Sequence, residues 1–287
     1  MKLIKPSYKI IEQEPGIEGI YKQIELAGRT CYKSEDKITE TSAKEFVDRM
    51  IRSGHGAMLE HGTVYLHMEF ASKEAYFADE LVLKYHNESH TKALRVRDIQ
   101  TEPQGKQHAY IATNYRVLVE NDWMEDLQYL CEPTIFHERR ATVKFTCPIS
   151  ISREFNRHRV NSIAEQSTRY CNYSTDKFNK EITFIEPYWY ESADSYTKNE
   201  FDRGLQYAEG YYMFMIDKGM KAQEAREILP LCTATELIHT AFVSDWRHFF
   251  RIRSRIAKTG KPHPQAQELA DPLMDEFVKR GIMETLL

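Results

Sequence analysis

A mixed α/β fold is predicted by three stretches of this chain. From 64 to 70, Val64, Leu66, Met68 and Phe70 alternate with Tyr65, His67 and Glu69, the two-residue period of a half-buried strand. From 143 to 152, Val143, Phe145, Cys147, Ile149 and Ile151 alternate in the same way with Lys144, Thr146, Ser150 and Ser152. In contrast to both, Ala43, Phe46, Val47, Met50 and Ile51 fall on one face of a helix. At 287 residues and 41% hydrophobic content the chain can bury a substantial core as one large domain or two. We expect a single domain over 1–287, with an insertion packed on it at about 71–141.

The elements follow in order. Ser42 and Glu45 have the spacing of a capping box for the first helix, and Gly54 stops it. The 64–70 strand comes next. The insertion is less regular, with a charged stretch from His90 to Arg97, a turn-like run at 101–105 and a helix expected near 122–130. Pro148 lies on the polar side of the second alternating run, which predicts an edge strand or a bulge there. Thr197 and Glu200 cap a long helix with the stripe Phe201, Leu205, Ala208, Tyr212 and Met215, closing at Gly219. A short helix from Ala222 carries Arg226 and ends at Pro230. Ser244 opens a helix whose apolar face holds Trp246, Phe249 and Phe250. Arg253 shares that face, so it needs either an anion or a structural salt-bridge partner, because an unpaired buried charge is costly. Arg247, Arg251 and Arg255 form a separate basic row. A last helix over 266–278 is expected to kink or restart at Pro272.

Composition narrows the function. No apolar run reaches the length of a membrane span, and the start at Met1 to Lys5 is too short and charged for a signal peptide. Five scattered cysteines, without a Cys-x-x-Cys pair, predict reduced thiols in a cytoplasmic compartment and no metal site. A net charge of −4 argues against general nucleic-acid affinity. Against that background the arginines at 153, 157, 159 and 169 stand out. Arg153, Arg157 and Arg159 lack the acidic partners four residues away that a solvated helix would supply; only Arg169 has one, Glu165. Guanidinium forks pair with phosphate, and hydroxyls complete such a clamp. The segment reads as a nucleotide-phosphate site.

Arg157-His158-Arg159, seven residues, then Ser167 resembles the signature of the flavin-dependent thymidylate synthases, with Ser162, Glu165, Arg169 and Tyr170 also in family positions. Three more blocks are similar to that family: 53–61, which holds His55 and His61; Ala225-Arg226 with Leu229-Pro230; and Trp246-Arg247-His248-Phe249 through Arg253. Arg29 to Tyr32 matches more weakly. The resemblance implies a central sheet flanked by long helices, a homotetramer, and reductive methylation of dUMP to dTMP. Methylenetetrahydrofolate would give the carbon, and NADPH the electrons through FAD. It assigns Glu154, Arg157, Glu165, Gln166, Ser167, Thr168, Arg169, Arg226 and Arg253 to dUMP. It assigns His55, Arg157, His158, Arg159, Glu165 and His248 to FAD, and catalytic roles to Arg253, His55 and Ser167. For His55 a plain helix-end role is an equal alternative, and for Ser167 hydrogen bonding is preferred to nucleophilic attack. Three positions depart from the family: Glu154 replaces a usual Gln, Ala164 a common Asn, and Phe242 an Asn. A flavoprotein without folate chemistry and a nucleotide-binding module are the competing readings.

Overall fold

The two alternating runs belong to different sheets of the computed structural model, which describes residues 1–98, 105–258 and 260–285. The first half of the chain runs β1 (Lys2–Ile4), β2 (Ser7–Ile11), α1 (Gly16–Cys31), α2 (Ser42–Arg52), α3 (Gly56–Leu59), β3 (Thr63–Phe70), α4 (Ala75–His86), β4 (Lys92–Asp98), β5 (Lys106–Asn114) and α5 (Tyr115–Glu120). The second half runs β6 (Arg140–Pro148), α6 (Ile149–Phe155), β7 (Ser162–Glu165), β8 (Thr183–Ile185), α7 (Ser195–Asp217), α8 (Ala222–Ala225), β9 (Ala234–Phe242), α9 (Val243–Arg253) and α10 (Pro264–Lys279). The fold is mixed α/β.

One antiparallel sheet has the order β2-β6-β9-β7, and a second has the order β3-β5-β4; β1 and β8 form a short parallel pair. On the four-stranded sheet, Val143, Phe145 and Leu237 point into a core closed by Trp246, Phe249 and Phe250 of α9 and by Leu273 and Phe277 of α10. The indole of Trp246 donates to the Ala141 carbonyl at 3.1 Å, which fixes α9 against β6. The other face of the sheet meets α1 and α3 through Ala27, Ala164, Ile238 and Met58. The second sheet packs with α1 and α2 around Ile20, Ile24, Phe46, Val47, Leu66 and Ile111. Within it β5 pairs with β3 from Gln107 to Asn114. The 71–141 segment therefore supplies the middle strand of a core that the first 70 residues also build.

Arg140 joins the two sheets. From β6 its guanidinium donates to Thr63 Oγ1 (3.2 Å), the Thr113 carbonyl (3.4 Å), the Glu60 carbonyl (3.0 Å) and Ser162 Oγ (3.4 Å). Beside it, buried His61 shares a 2.8 Å hydrogen bond between Nδ1 and Thr240 Oγ1.

Several local expectations are corrected. The 143–152 alternation does not continue as strand: β6 ends at Pro148, and 149–155 is helical. Ile151 and Phe155, one helical turn apart, are both fully buried, and the first helical amides donate to Thr233 and Leu231 carbonyls (3.0 and 3.1 Å). Pro148 is no edge marker, since β6 is paired on both sides; its missing N–H falls where the ladder stops. No capping box forms at Ser42, whose hydroxyl donates instead to Glu25 Oε2 at 2.8 Å. The long helix is capped by Asp194, accepting from the amides of Tyr196 and Thr197, and not by Thr197. The helix expected near 122–130 is a 3-10 segment, Met124–Tyr129. Pro272 sits inside an unbroken α10. Most of the turn-like run at 101–105 lies outside the described residues.

Candidate active site

The short helix α6 organises the arginine cluster, because its two flanks carry different groups. On one flank, Ser152 Oγ donates to Glu165 Oε1 at 2.6 Å and Asn156 Nδ2 to Glu165 Oε2 at 2.9 Å. Both carboxylate oxygens are thus held at the end of β7. The chain then turns: the Ser167 amide donates to the Cys31 carbonyl at 2.9 Å, and Ser167 Oγ accepts from the Arg169 amide at 3.3 Å. Ile149, Ser152, Arg153, Glu165, Gln166, Ser167 and Thr168 line a cavity of about 310 Å³. Arg226 reaches this group, donating to Thr168 Oγ1 at 3.4 Å. Arg169 is exposed, bonded to Gln223 Oε1 at 3.2 Å and lying over the Tyr170 ring.

The other flank faces α9. Arg253 donates through Nη1 to Glu154 Oε2, through Nη2 to the Glu154 carbonyl (2.6 Å), and through Nε to His158 Nε2 (3.4 Å). Accepting at Nε2 requires the neutral imidazole with its proton on Nδ1. Burial, with Arg253 and then His248 nearby, pushes His158 down to about 4, so it stays neutral. His248 is exposed and packs edge-on against His158, with ring centroids 5.8 Å apart. Burial pulls the Arg253 guanidinium below its ordinary value; Glu154 opposes this and Arg157 adds to it.

A third group surrounds His55, which is exposed at the start of α3. A hollow of about 510 Å³ is lined there by Arg29, Tyr32, Lys37, Phe46, Arg49, His55 and Lys177, among others. Arg29 and Arg49 stand over the Phe46 ring at 5.0 and 5.1 Å. Tyr32 touches Tyr170, centroids 5.2 Å apart, so this hollow borders the signature segment.

Within one chain the expected site residues therefore make three groups. Glu165, Gln166, Ser167, Thr168 and Arg226 come together; Glu154, His158, His248 and Arg253 come together; His55 stands in the third. Arg157 and Arg159 are exposed and make no ion pair among the described residues. His158 is brought beneath Arg253 and away from its exposed neighbours. Inside a single chain Arg169 and Arg226 lie with the Glu165 group, while Arg253 lies with Glu154 and within the electrostatic reach of Arg157 on the other flank of α6. Burial raises the Cys171 thiol to about 11, which keeps it protonated and disfavours attack by it. Phe242, at a departure from the family pattern, is buried and offers its ring to Arg140 at 5.6 Å and Lys92 at 5.7 Å. Ser152, Asn156 and Arg49 have no role assigned from sequence, and Arg153 only its place in the arginine-rich phosphate segment. The Phe46/Arg49 spacing on α2 is the one available signal, and nothing local pairs Ser152 with Glu165. Among the described residues no group of three His, Cys, Asp or Glu is placed to hold a metal ion. Nor is any helix among them long and apolar enough to cross a membrane.

Unpaired guanidiniums, oriented hydroxyls and a held carboxylate beside a polar cavity suit a small phosphorylated ligand. The chain belongs to the thymidylate synthase complementing protein family, whose model matches residues 15–76 and 80–280. It is 29% identical over 102 residues to a flavin-dependent thymidylate synthase of Geobacter sulfurreducens, covering 36% of this chain and 42% of that protein. It is 27% identical over 152 residues to one of Pyrococcus furiosus, covering 51% and 59%. The chain spans about half the length of the curated relatives it matches. A solved structure of a UMP/dUMP methylase, PolB from Streptomyces cacaoi, bound with 5-Br dUMP, aligns over 97% of this chain and 93% of its own, at 16% identity and a TM-score of 0.45.

Proposed function

We propose that the chain is a flavin-dependent thymidylate synthase, converting dUMP to dTMP with methylenetetrahydrofolate as carbon donor and NADPH as reductant through FAD. The observation that carries this reading is the division of donors around α6. Arg226, Ser167, Thr168 and Arg169 offer a phosphate cradle on one flank, and Arg253 offers fixed N–H donors to a planar ring on the other. Family membership and two relatives named for this activity support it.

Two flanks separated by a helix complete one pocket only if another copy of the chain covers them, so the active form is proposed to be a homotetramer. The donor set also fits FAD: among the described residues Arg157 and Arg159 are exposed cations free of carboxylate partners, as a diphosphate requires, with His248 and His55 as further donors. When bound, the flavin supplies the hydride chemistry. The protein's own part is to hold and polarise. Arg253 sits rigidly where negative charge would develop on the pyrimidine, so no reorganisation is needed as that charge appears. Glu165, with both oxygens bonded, is fixed as an acceptor toward the cavity it lines.

The test is dTMP formation by the purified protein with dUMP, methylenetetrahydrofolate, NADPH and FAD, each omitted in turn. Product should vanish with every single omission except added FAD, where bound flavin can sustain it. The protein should be yellow and bleach under NADPH. Bleaching without dTMP would favour a flavoprotein lacking folate chemistry. A protein that remains colourless after FAD is added would overturn the reading.

A further inference from the structure

We propose that the hollow beside His55 receives the dianionic aromatic end of a co-substrate, held there by Lys37 and Arg49; this rests on the function proposed above and deepens it. The chain carries 43 acidic and 39 basic side chains, so a surface hollow should ordinarily show both signs. This one, of about 510 Å³, has Arg29, Lys37, Arg49, His55 and Lys177 on its walls and, among the described residues, no carboxylate. Two of the cations are neutralised from outside it, Arg29 by Glu25 at 3.0 Å and Lys177 by Asp36 at 3.6 Å. Lys37 and Arg49 are exposed and make no ion pair among the described residues. The hollow therefore holds two uncompensated positive charges before His55 is counted.

Like charges gathered on one concave surface repel one another, and the same surface concentrates anions from solution. The wall also carries Phe46, Met50 and the Tyr32 ring, apolar area against which a flat group can lie. Arg49 stands 5.1 Å from the Phe46 ring centroid, a contact that holds its guanidinium at the hollow. The complement to such a surface is an aromatic group bearing two negative charges, and the volume is within the range of small-ligand sites. Tyr32 touches Tyr170 of the signature segment, so a ligand anchored here by its charged end can direct its other end toward that segment. Two co-substrates of the proposed reaction carry an end of this kind. Methylenetetrahydrofolate ends in a p-aminobenzoyl-glutamate with two carboxylates, and NADPH in an adenosine with a 2′-phosphate. The hollow reads the chemistry they share; the experiment separates the two sources.

Steady-state KM values of the FAD-loaded wild type and of the double variant Lys37→Gln, Arg49→Gln test this. The substrates are methylenetetrahydrofolate bearing one or four glutamates, NADPH or NADH, and dUMP. The double variant should raise the KM of one co-substrate at least about fivefold, as expected for losing two exposed ion pairs, while kcat, the dUMP KM and the melting temperature hold. If folate is the occupant, wild type favours the four-glutamate form and the variant loses that advantage. If NADPH is the occupant, its KM rises and that of NADH does not. An unchanged KM for both co-substrates overturns the inference. An equal rise for every substrate, or a loss of bound flavin, overturns it too, because either marks a structural effect. Should the double variant fail to fold, Lys37→Gln alone, at an exposed position, should give the same pattern with roughly a twofold rise. Wild type that turns over beside an indifferent variant sinks this inference alone; wild type that forms no dTMP sinks the proposed function and this inference with it.

Discussion

The Arg253 guanidinium is gripped on three sides by Glu154 and His158 and is mostly enclosed, so its remaining donors point in fixed directions. Arg253→Ala is expected to retain FAD but lose about 10²–10³-fold in turnover, the usual cost of deleting one oriented donor. Flavin absorbance and dTMP formation measured on the same sample check it, and undiminished turnover would refute the role. Ser152→Ala should lower activity less, since Asn156 still holds the other Glu165 oxygen. A loss equal to that of Arg253→Ala would contradict this ranking. Part of this site is legible in the sequence: Arg253 lies three and four positions beyond Phe250 and Phe249, which puts it on the buried face of a helix. Its partner is not legible, because Glu154 lies 99 positions away and no local pattern links the two. The same limit applies to Glu165, whose holders Ser152 and Asn156 become neighbours only because 149–155 coils into a helix. Residue types at the site can be read from the chain; which of them meet cannot.

Among the elements, those with long periodic stripes are legible. The faces of β3 and α9 follow from spacing alone, and so does that of α2 except at Ile51, which is exposed, since burial of one face decides the period. The 143–155 stretch is not, because Ile-Ser-Ile-Ser fits a strand and the buried Ile151/Phe155 pair fits a helix equally well over so short a run. What decides it is tertiary: carbonyls at 231 and 233 satisfy the first helical amides. Caps are hard to place for a related reason, several Ser, Thr and Asp side chains competing within a few residues of each helix start. Packing of α1 on α2 gives a prediction of its own. A Cβ at Gly28 would lie 2.4 Å from Phe46 Cζ. Alanine gains up to about 1 kcal/mol of helix propensity, but overpacking costs about 1–3 kcal/mol, so Gly28→Ala should be net destabilising. Because Phe46 carries Arg29 and Arg49 on its faces, the same change should disturb the His55 hollow. Urea denaturation checks the first effect; a stabilised variant would show that the ring moves aside freely.

For the whole molecule, acid is the revealing variable. Burial, reinforced by Arg140, lowers His61 to about 3; burial lowers His158 to about 4 and His239 well below its ordinary value. All three are neutral in the fold but take up a proton near pH 6.5 once unfolded. The unfolded chain then binds more protons, so stability is full above about pH 6.5 and declines as pH falls toward the folded values. The decline should approach about 1.4 kcal/mol per pH unit for each histidine that stays neutral. Urea midpoints at pH 7.5 and 5.5 should separate clearly, and His61→Gln should flatten the difference; coincident midpoints would refute it. Arg140 adds a direction to this. Burial brings it only to about 10, so it keeps its charge throughout, and any proton forced onto His61 arrives beside a permanent cation. Mild acid should accordingly prise the molecule open along that junction first, with amide protons of β3 and β7 exchanging while those behind Trp246 remain locked.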